Sequence, residues 1–212
     1  MTASTEKVRS VRTLAWRLSM ALLTMGVAPA QKHEIGLTLG RISGPTRDSA
    51  AGALSLDAGT ALQANYGRRL FGSERYSLAF EVHFLANPQR KIGSLNSRAT
   101  RDVATLYVTP GIRVKLRGRR VAPYAAIGAG YALYEQSLMQ IDGSANAAPR
   151  HIHRGALAFG GGADIAVWRW FGLRGEVRDF YTGNPAFNAP VSGGQHNVVV
   201  GGGFVLSFGK RE

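Results

Sequence analysis

From Glu34 to Phe208 the chain alternates apolar and polar residues with a period of two, almost without a break. That period puts successive side chains on opposite faces of a strand and leaves no room for a helical domain. Eight alternating runs stand out, at residues 34–42, 60–70, 76–86, 103–116, 121–134, 154–168, 172–182 and 197–208. Each is close to the length of a tilted strand crossing a hydrocarbon layer, about 9–11 residues plus its ends. In the third run Leu78, Phe80, Val82 and Phe84 interleave with Ala79, Glu81 and His83. In the seventh, Leu173, Gly175 and Val177 interleave with Arg174, Glu176 and Arg178. The connections alternate too. Long segments rich in Ser, Asn, Gly, Pro and Ala lie at 43–59, 87–102, 135–153 and 183–196, and short ones at 71–75, 117–120 and 169–171. An up-and-down meander with loops on one rim and tight turns on the other has this layout. The expected fold is all-β, an eight-stranded antiparallel up-and-down transmembrane barrel.

Residues 1–30 read as a cleaved signal peptide, leaving 31–212 as the barrel. Lys7, Arg9, Arg12 and Arg17 make a basic front, residues 18–27 a short apolar segment, and Ala28-Pro29-Ala30 a small-residue cleavage site before Gln31. An amphipathic helix on a soluble protein is the alternative. No second domain follows the last run, so a tether to the cell wall is not expected.

Composition removes several classes. With no Cys, disulfide frameworks, Cys zinc sites, Cys nucleophiles and iron–sulfur clusters are excluded. No apolar stretch reaches the about 18 residues of a helical span. The net charge of +13 raises nucleic acid binding, and Arg113, Lys115, Arg117, Arg119 and Arg120 form a basic cluster. That cluster falls on a strand end and a short turn, with no binding motif. Nucleic acid is therefore not an expected partner, and rim cations facing anionic lipid headgroups are.

A soluble periplasmic ligand-binding barrel of the lipocalin kind would show the same period with its faces exchanged. Three features favour lipid outside. The polar face carries both signs, Glu34, Glu81, Asp164 and Glu176 against Arg69, Arg113, Lys115, Arg174 and Arg178, which suits pairing across a narrow lumen. Small residues share that face, as in Tyr124, Ala126, Gly128, Gly130 and Ala132. Aromatic residues collect at run ends: Phe71, Tyr76, Tyr131, Tyr134, Trp168, Trp170, Phe171, Phe180 and Tyr181. The expected lumen charge network is Glu81, Arg113, Lys115, Asp164, Arg174, Glu176 and Arg178.

The segments Tyr107-Val108-Thr109-Pro110-Gly111-Ile112-Arg113, Pro123-Tyr124 through Gly128-Ala129-Gly130, and Leu173 through Asp179 make the chain resemble small outer-membrane β-barrels of the OmpA/OmpX type, the outer membrane protein β-barrel domain family. The ending Phe204, Leu206, Phe208 is similar to the signal read by the barrel-insertion machinery. The resemblance implies the bacterial outer membrane as location. It also implies membrane lipid, lipopolysaccharide and the insertion machinery as partners, and a monomer. The chain departs from the family pattern in continuing to Glu212 past Phe208. Strict alternation also aims Asp179 at lipid, which points to a rim site or a bulge. Pro110 inside a strand withholds a ladder donor, which again suggests a bulge.

Motifs for chemistry are sparse. His151 and His153 share a face and with His196 would make a metal site at the outer rim, but no acidic residue completes it, so none is expected. Gly160-Gly161-Gly162 and Gly201-Gly202-Gly203 lack the Lys and helix of a phosphate loop. Glu81 and Glu176 are candidate acid–base groups, with structural pairing the commoner role. Lipid A deacylases use a His-x-Ser pair, where this chain reads His151-Ile152-His153, and no Gly-x-Ser-x-Gly elbow exists. An enzyme acting on lipid A or acyl chains stays the alternative to a cofactor-free structural or surface-interaction barrel. A porin is not expected, because eight strands leave an interior that side chains fill.

Overall fold

The structure, a computed structural model, describes residues 33–48, 52–189 and 191–209. The expected leader lies outside them, as do residues 210–212. Nine strands follow one another: β1 (His33–Ser43), β2 (Leu54–Leu56), β3 (Gly59–Gly72), β4 (Tyr76–Ser94), β5 (Asp102–Leu116), β6 (Val121–Gln136), β7 (His151–Ala166), β8 (Phe171–Thr182) and β9 (Gln195–Phe208). All pairings are antiparallel. Eight strands close a ring in the order β4-β3-β1-β9-β8-β7-β6-β5, with β5 returning to β4. The closing seam runs from His33↔Phe208 to Ser43↔Val198 and leaves no edge in the wall. β2 stands outside the ring and pairs with the far end of β4, Leu54↔Ser94 to Leu56↔Ile92, while Leu54 also bridges Arg47.

The faces follow parity. Leu37, Leu39, Ile127, Leu157, Leu173 and Val177 point outward and are exposed, while Arg174, Glu176 and Arg178 between them are buried. A soluble ligand-binding barrel needs the reverse. The seven connections again alternate, with loops 44–58, 95–101, 137–150 and 183–194 at one rim and turns 73–75, 117–120 and 167–170 at the other.

Three expectations are corrected, and of the two alternatives for Asp179 the rim site holds. The third run does not end at residue 86: β4 continues to Ser94, so most of the expected loop 87–102 is strand. A bulge between Asn87 and Arg90 absorbs Pro88 and Gln89, after which pairing resumes at Arg90↔Val103. Pro110 brings no bulge. Its pairing to Val82 is in register, and on the β6 side the ladder skips Thr109 and Pro110 and resumes unshifted at Gly111↔Gly128. A missing N–H therefore costs a local interruption rather than an extra residue. Two of the expected rim aromatics, Tyr134 and Phe180, are instead fully buried in the lumen, because they share parity with its lining. Asp179 sits in unbroken ladders, without a bulge. It is a rim residue whose carboxylate meets His196 Nδ1 at 2.6 Å and accepts from the Asn197 amide at 3.1 Å.

Candidate functional site

The interior has three layers. Nearest the turns, an open cavity of about 360 Å³ is lined by Glu34, Arg69, Arg113, Lys115, Arg117 and Arg169. Above it lies a lattice whose charges come from five of the eight ring strands and whose neutral members bring in two more. Arg174 on β8 grips Asp164 on β7 side-on, Nε to Oδ1 at 2.7 Å and Nη2 to Oδ2 at 2.8 Å. Lys115 bridges Asp164 Oδ2 and Glu34 Oε1, both at 2.6 Å. Arg113 joins Glu34 below to Glu81 above, the latter at 3.0 Å. Arg178 Nη2 donates to Glu81 Oε1 at 2.5 Å and its Nε lies 3.5 Å from Glu176. Glu176 accepts from Tyr124 Oη at 2.8 Å and Thr38 Oγ1 at 3.1 Å. Gln63 donates to Thr38 at 2.9 Å, and His83 Nε2 donates to Gln63 Oε1 at 3.1 Å. Arg113 and Arg174 also lie over the two sides of the Tyr124 environment, 5.4 and 4.9 Å from its ring centroid.

All seven residues expected on the lumen face therefore point inward and touch within this lattice. Sequence reasoning placed Glu34, His83 and Tyr124 on the polar face but left them out of that set, and missed the neutral members Thr38, Gln63 and Asn65. Parity marks them, since each alternates with an outward apolar residue. Four carboxylates (Glu34, Glu81, Asp164, Glu176) face four cations (Arg113, Lys115, Arg174, Arg178), so the lattice is neutral overall. Ionised groups buried in this way need such partners. Glycine makes the room: a Cβ at Gly67 would stand 2.7 Å from Arg113 Nη2, and one at Gly162 would stand 2.9 Å from both Glu176 Cβ and Tyr124 Oη. The second glycine triplet, on β9, lines the same wall and sits where no phosphate-loop helix follows.

The third layer closes the loop end. Phe180 packs on His83 and Tyr107, with ring centroids 5.7 and 5.0 Å apart. Tyr107 and Tyr134 share a hydroxyl contact of 2.9 Å, and Tyr134 reaches Thr182 at 2.8 Å. Phe187, fully buried, covers Tyr134 edge-on at 5.5 Å. Three consecutive non-glycine residues carry it there in the left-handed region, Ala186, Phe187 and Asn188 with φ of 52°, 49° and 60°. Such residues cost about 1–2 kcal/mol each and persist only where surroundings hold them. Here the loops hold them. The Thr100 amide donates to Phe187 O (3.2 Å), Asn96 Nδ2 to Asn188 O (3.2 Å), Asn188 Nδ2 to Asn146 Oδ1 (2.8 Å) and Arg47 Nη1 to Asn184 Oδ1 (2.8 Å).

The other candidates stay apart. His153 bonds to Tyr131 and His196 to Asp179, and no group of three potential metal ligands occurs among the described residues. Glu81 and Glu176 are held by cations and hydroxyls inside the lattice. The apolar groove on the outer wall, about 500 Å³ between Leu37, Leu62, Phe84, Leu106 and Phe204, has no His, Asp or Glu in its lining. Arg119 and Arg120 are exposed on the turn between β5 and β6. β9 ends at Phe208, whose ring stacks on His33 at 5.6 Å at the turn rim.

A closed eight-stranded ring with an apolar outer belt, a charged interior and loops on one rim defines a membrane-spanning β-barrel. The chain matches the outer membrane protein beta-barrel domain over residues 18–204, and it belongs to that family. It is a protein of the bacterial outer membrane. Its fold is similar to that of Neisserial surface protein A, with 13% identity and a TM-score of 0.54 over 83% of this chain and 97% of that one. It is also similar to the outer membrane protein OprG from Pseudomonas aeruginosa, with 13% identity and a TM-score of 0.52 over 85% of this chain and 98% of that one. At these identities the likeness concerns the fold alone. No curated protein sequence matches the chain.

The outer belt yields a direct test. Ile127, 66% exposed at mid-height between Ile112 and Phe159, should cost about 2–4 kcal/mol when changed to Arg in a bilayer-embedded barrel. Urea unfolding from liposomes measures it, and an unchanged stability would mean that Ile127 does not meet hydrocarbon.

Proposed function

We propose that this protein is a closed structural barrel whose working surface is its loop cap, serving envelope integrity or contact with other surfaces rather than solute passage. The observation that carries this reading is the filled interior. From Lys115 to Phe187 the lumen is occupied by paired charges, then by aromatic rings, then by a loop segment stitched to its neighbours. Lipid and lipopolysaccharide are the proposed membrane partners. Arg41 extends the outward face above Leu39 at the loop rim, and Arg68 does so below Tyr66 at the turn rim, both exposed and placed for headgroup phosphates. The insertion machinery is the proposed partner during assembly, through Phe204, Leu206 and Phe208, and the finished barrel is proposed to be a monomer. No catalytic role is assigned to the lumen carboxylates.

Planar-bilayer recording of the purified protein, with sugar efflux from liposomes alongside, tests the proposal. No steady open channel and no sugar efflux are expected. Porin-sized conductance steps would overturn it.

A further inference from the structure

The charge lattice is neutral, but the layer above it is not. Two further guanidiniums, Arg47 in the first loop and Arg90 at the far end of β4, are buried to 7% and 1% exposure. Neither forms an ion pair with a carboxylate among the described residues. Arg90 spends its donors on neutral oxygens, Asp57 O at 2.8 Å, Asn197 Oδ1 at 2.6 Å and Leu56 O at 3.4 Å. Arg47 gives Nη1 to Asn184 Oδ1, and its Nε and Nη2 are buried with no partner at all. Those two atoms form the side-on edge of the guanidinium, the fork that matches two oxygens of a carboxylate or phosphate. The same barrel displays that match once already: Arg174 uses Nε and Nη2 to hold both oxygens of Asp164. On Arg47 the identical edge meets no hydrogen-bonding group of the protein.

A chain of contacts links the two cations. Arg47 lies against the Phe187 ring, 6.0 Å from its centroid, and Phe187 covers Tyr134. Tyr134 Oη accepts from Asn197 Nδ2 at 3.4 Å, and Asn197 in turn receives Arg90. The Asp57 carboxylate offsets part of the Arg90 charge, but no carboxylate of the described residues stands against Arg47, and a charge buried in that way demands a counter-charge. Water satisfies donors but does not neutralise two guanidiniums.

We propose that the buried edge of Arg47 beneath the loop cap is a binding site for one compact oxyanion, a phosphate or carboxylate group. Arg47 Nε and Nη2 grip it, and Arg90 supplies the second positive charge. The strained segment carrying Phe187 covers the site from outside, so the ligand enters from the loop side and not from the lipid. The proposal goes beyond the structural role above and does not depend on it.

The test is titration of the full-length barrel in detergent at constant ionic strength, with inorganic phosphate and separately with acetate, following arginine Nε–H resonances by NMR. A saturable shift with either anion, weakened at least about tenfold in Arg47→Gln and unchanged in the exposed loop variant Arg98→Gln, is expected. Arg47→Lys keeps the charge and the stem over Phe187 but loses the fork, and it carries the same expectation if the Gln variant does not fold. To separate a free anion from a lipid phosphate, lipopolysaccharide micelles replace inorganic phosphate in a parallel titration. Response to micelles alone would place the contact on the lipid face and overturn the site. No saturable shift, or equal loss in Arg98→Gln, would overturn it as well.

Discussion

Glu81→Gln should destabilise the barrel by about 3–5 kcal/mol, the usual consequence of removing one partner from a buried ion pair and leaving the other charged. Glu81 is 2% exposed and serves two guanidiniums at once, Arg178 at 2.5 Å and Arg113 at 3.0 Å, with Asn65 donating at 3.3 Å. Gln preserves the shape and one acceptor oxygen, so the loss reports charge rather than packing. The remaining interior would hold four cations against three carboxylates. Glu176→Gln should cost less, because its shortest contacts are to neutral hydroxyls of Tyr124 and Thr38 while Arg178 Nε stands 3.5 Å away. Urea unfolding in detergent, read by the fluorescence of Trp168 and Trp170, gives both values on one scale. A Glu81→Gln barrel as stable as the parent would mean that water already screens the lattice, and the filled-lumen reading would fall with it.

Much of this architecture was legible because a barrel wall has no freedom except parity. Once Leu173 and Val177 are set outward, Arg174, Glu176 and Arg178 have nowhere to go but in, and the same step fixes Glu81 and Asp164 on their strands. The errors fall where parity breaks or was overridden by residue type. Tyr134 and Phe180 were assigned to the rim because aromatic rings favour it, although each shares parity with lumen residues, Tyr134 with Tyr124 and Phe180 with Arg178. Asn87-Pro88 looks like a turn, yet the bulge there only shifts the phase, so that Leu85 and Asn87 are inward before it and Arg90 and Ile92 after it. Arg47 carried no signal, since it lies in a loop and loop residues obey no period, while Arg90 was hidden by the assignment of residues 87–102 to a loop rather than to β4.

Removing residues 204–208 should abolish the assembled barrel, since these residues pair on both sides. Towards β1 they meet Leu37, Ile35 and His33, and towards β8 they meet Leu173 and Phe171. Their loss leaves backbone donors and acceptors of two strands facing hydrocarbon, where each unmet group costs several kcal/mol. A shorter β9 has no substitute residues, because the ladder above is already used by Gly203 to Val198. Phe208→Ala separates pairing from recognition. It keeps every backbone contact and removes only the ring that stacks on His33. Heat-modifiable gel mobility and protease resistance of isolated outer membranes measure the folded fraction of each variant. The deletion is expected to leave none, and Phe208→Ala to slow assembly while yielding a barrel of near-normal stability. If Phe208→Ala assembles at the parent rate, the terminal ring is no recognition signal and the strand matters only as a wall. If the deletion itself assembles, the seam between β1 and β9 is not what closes the ring.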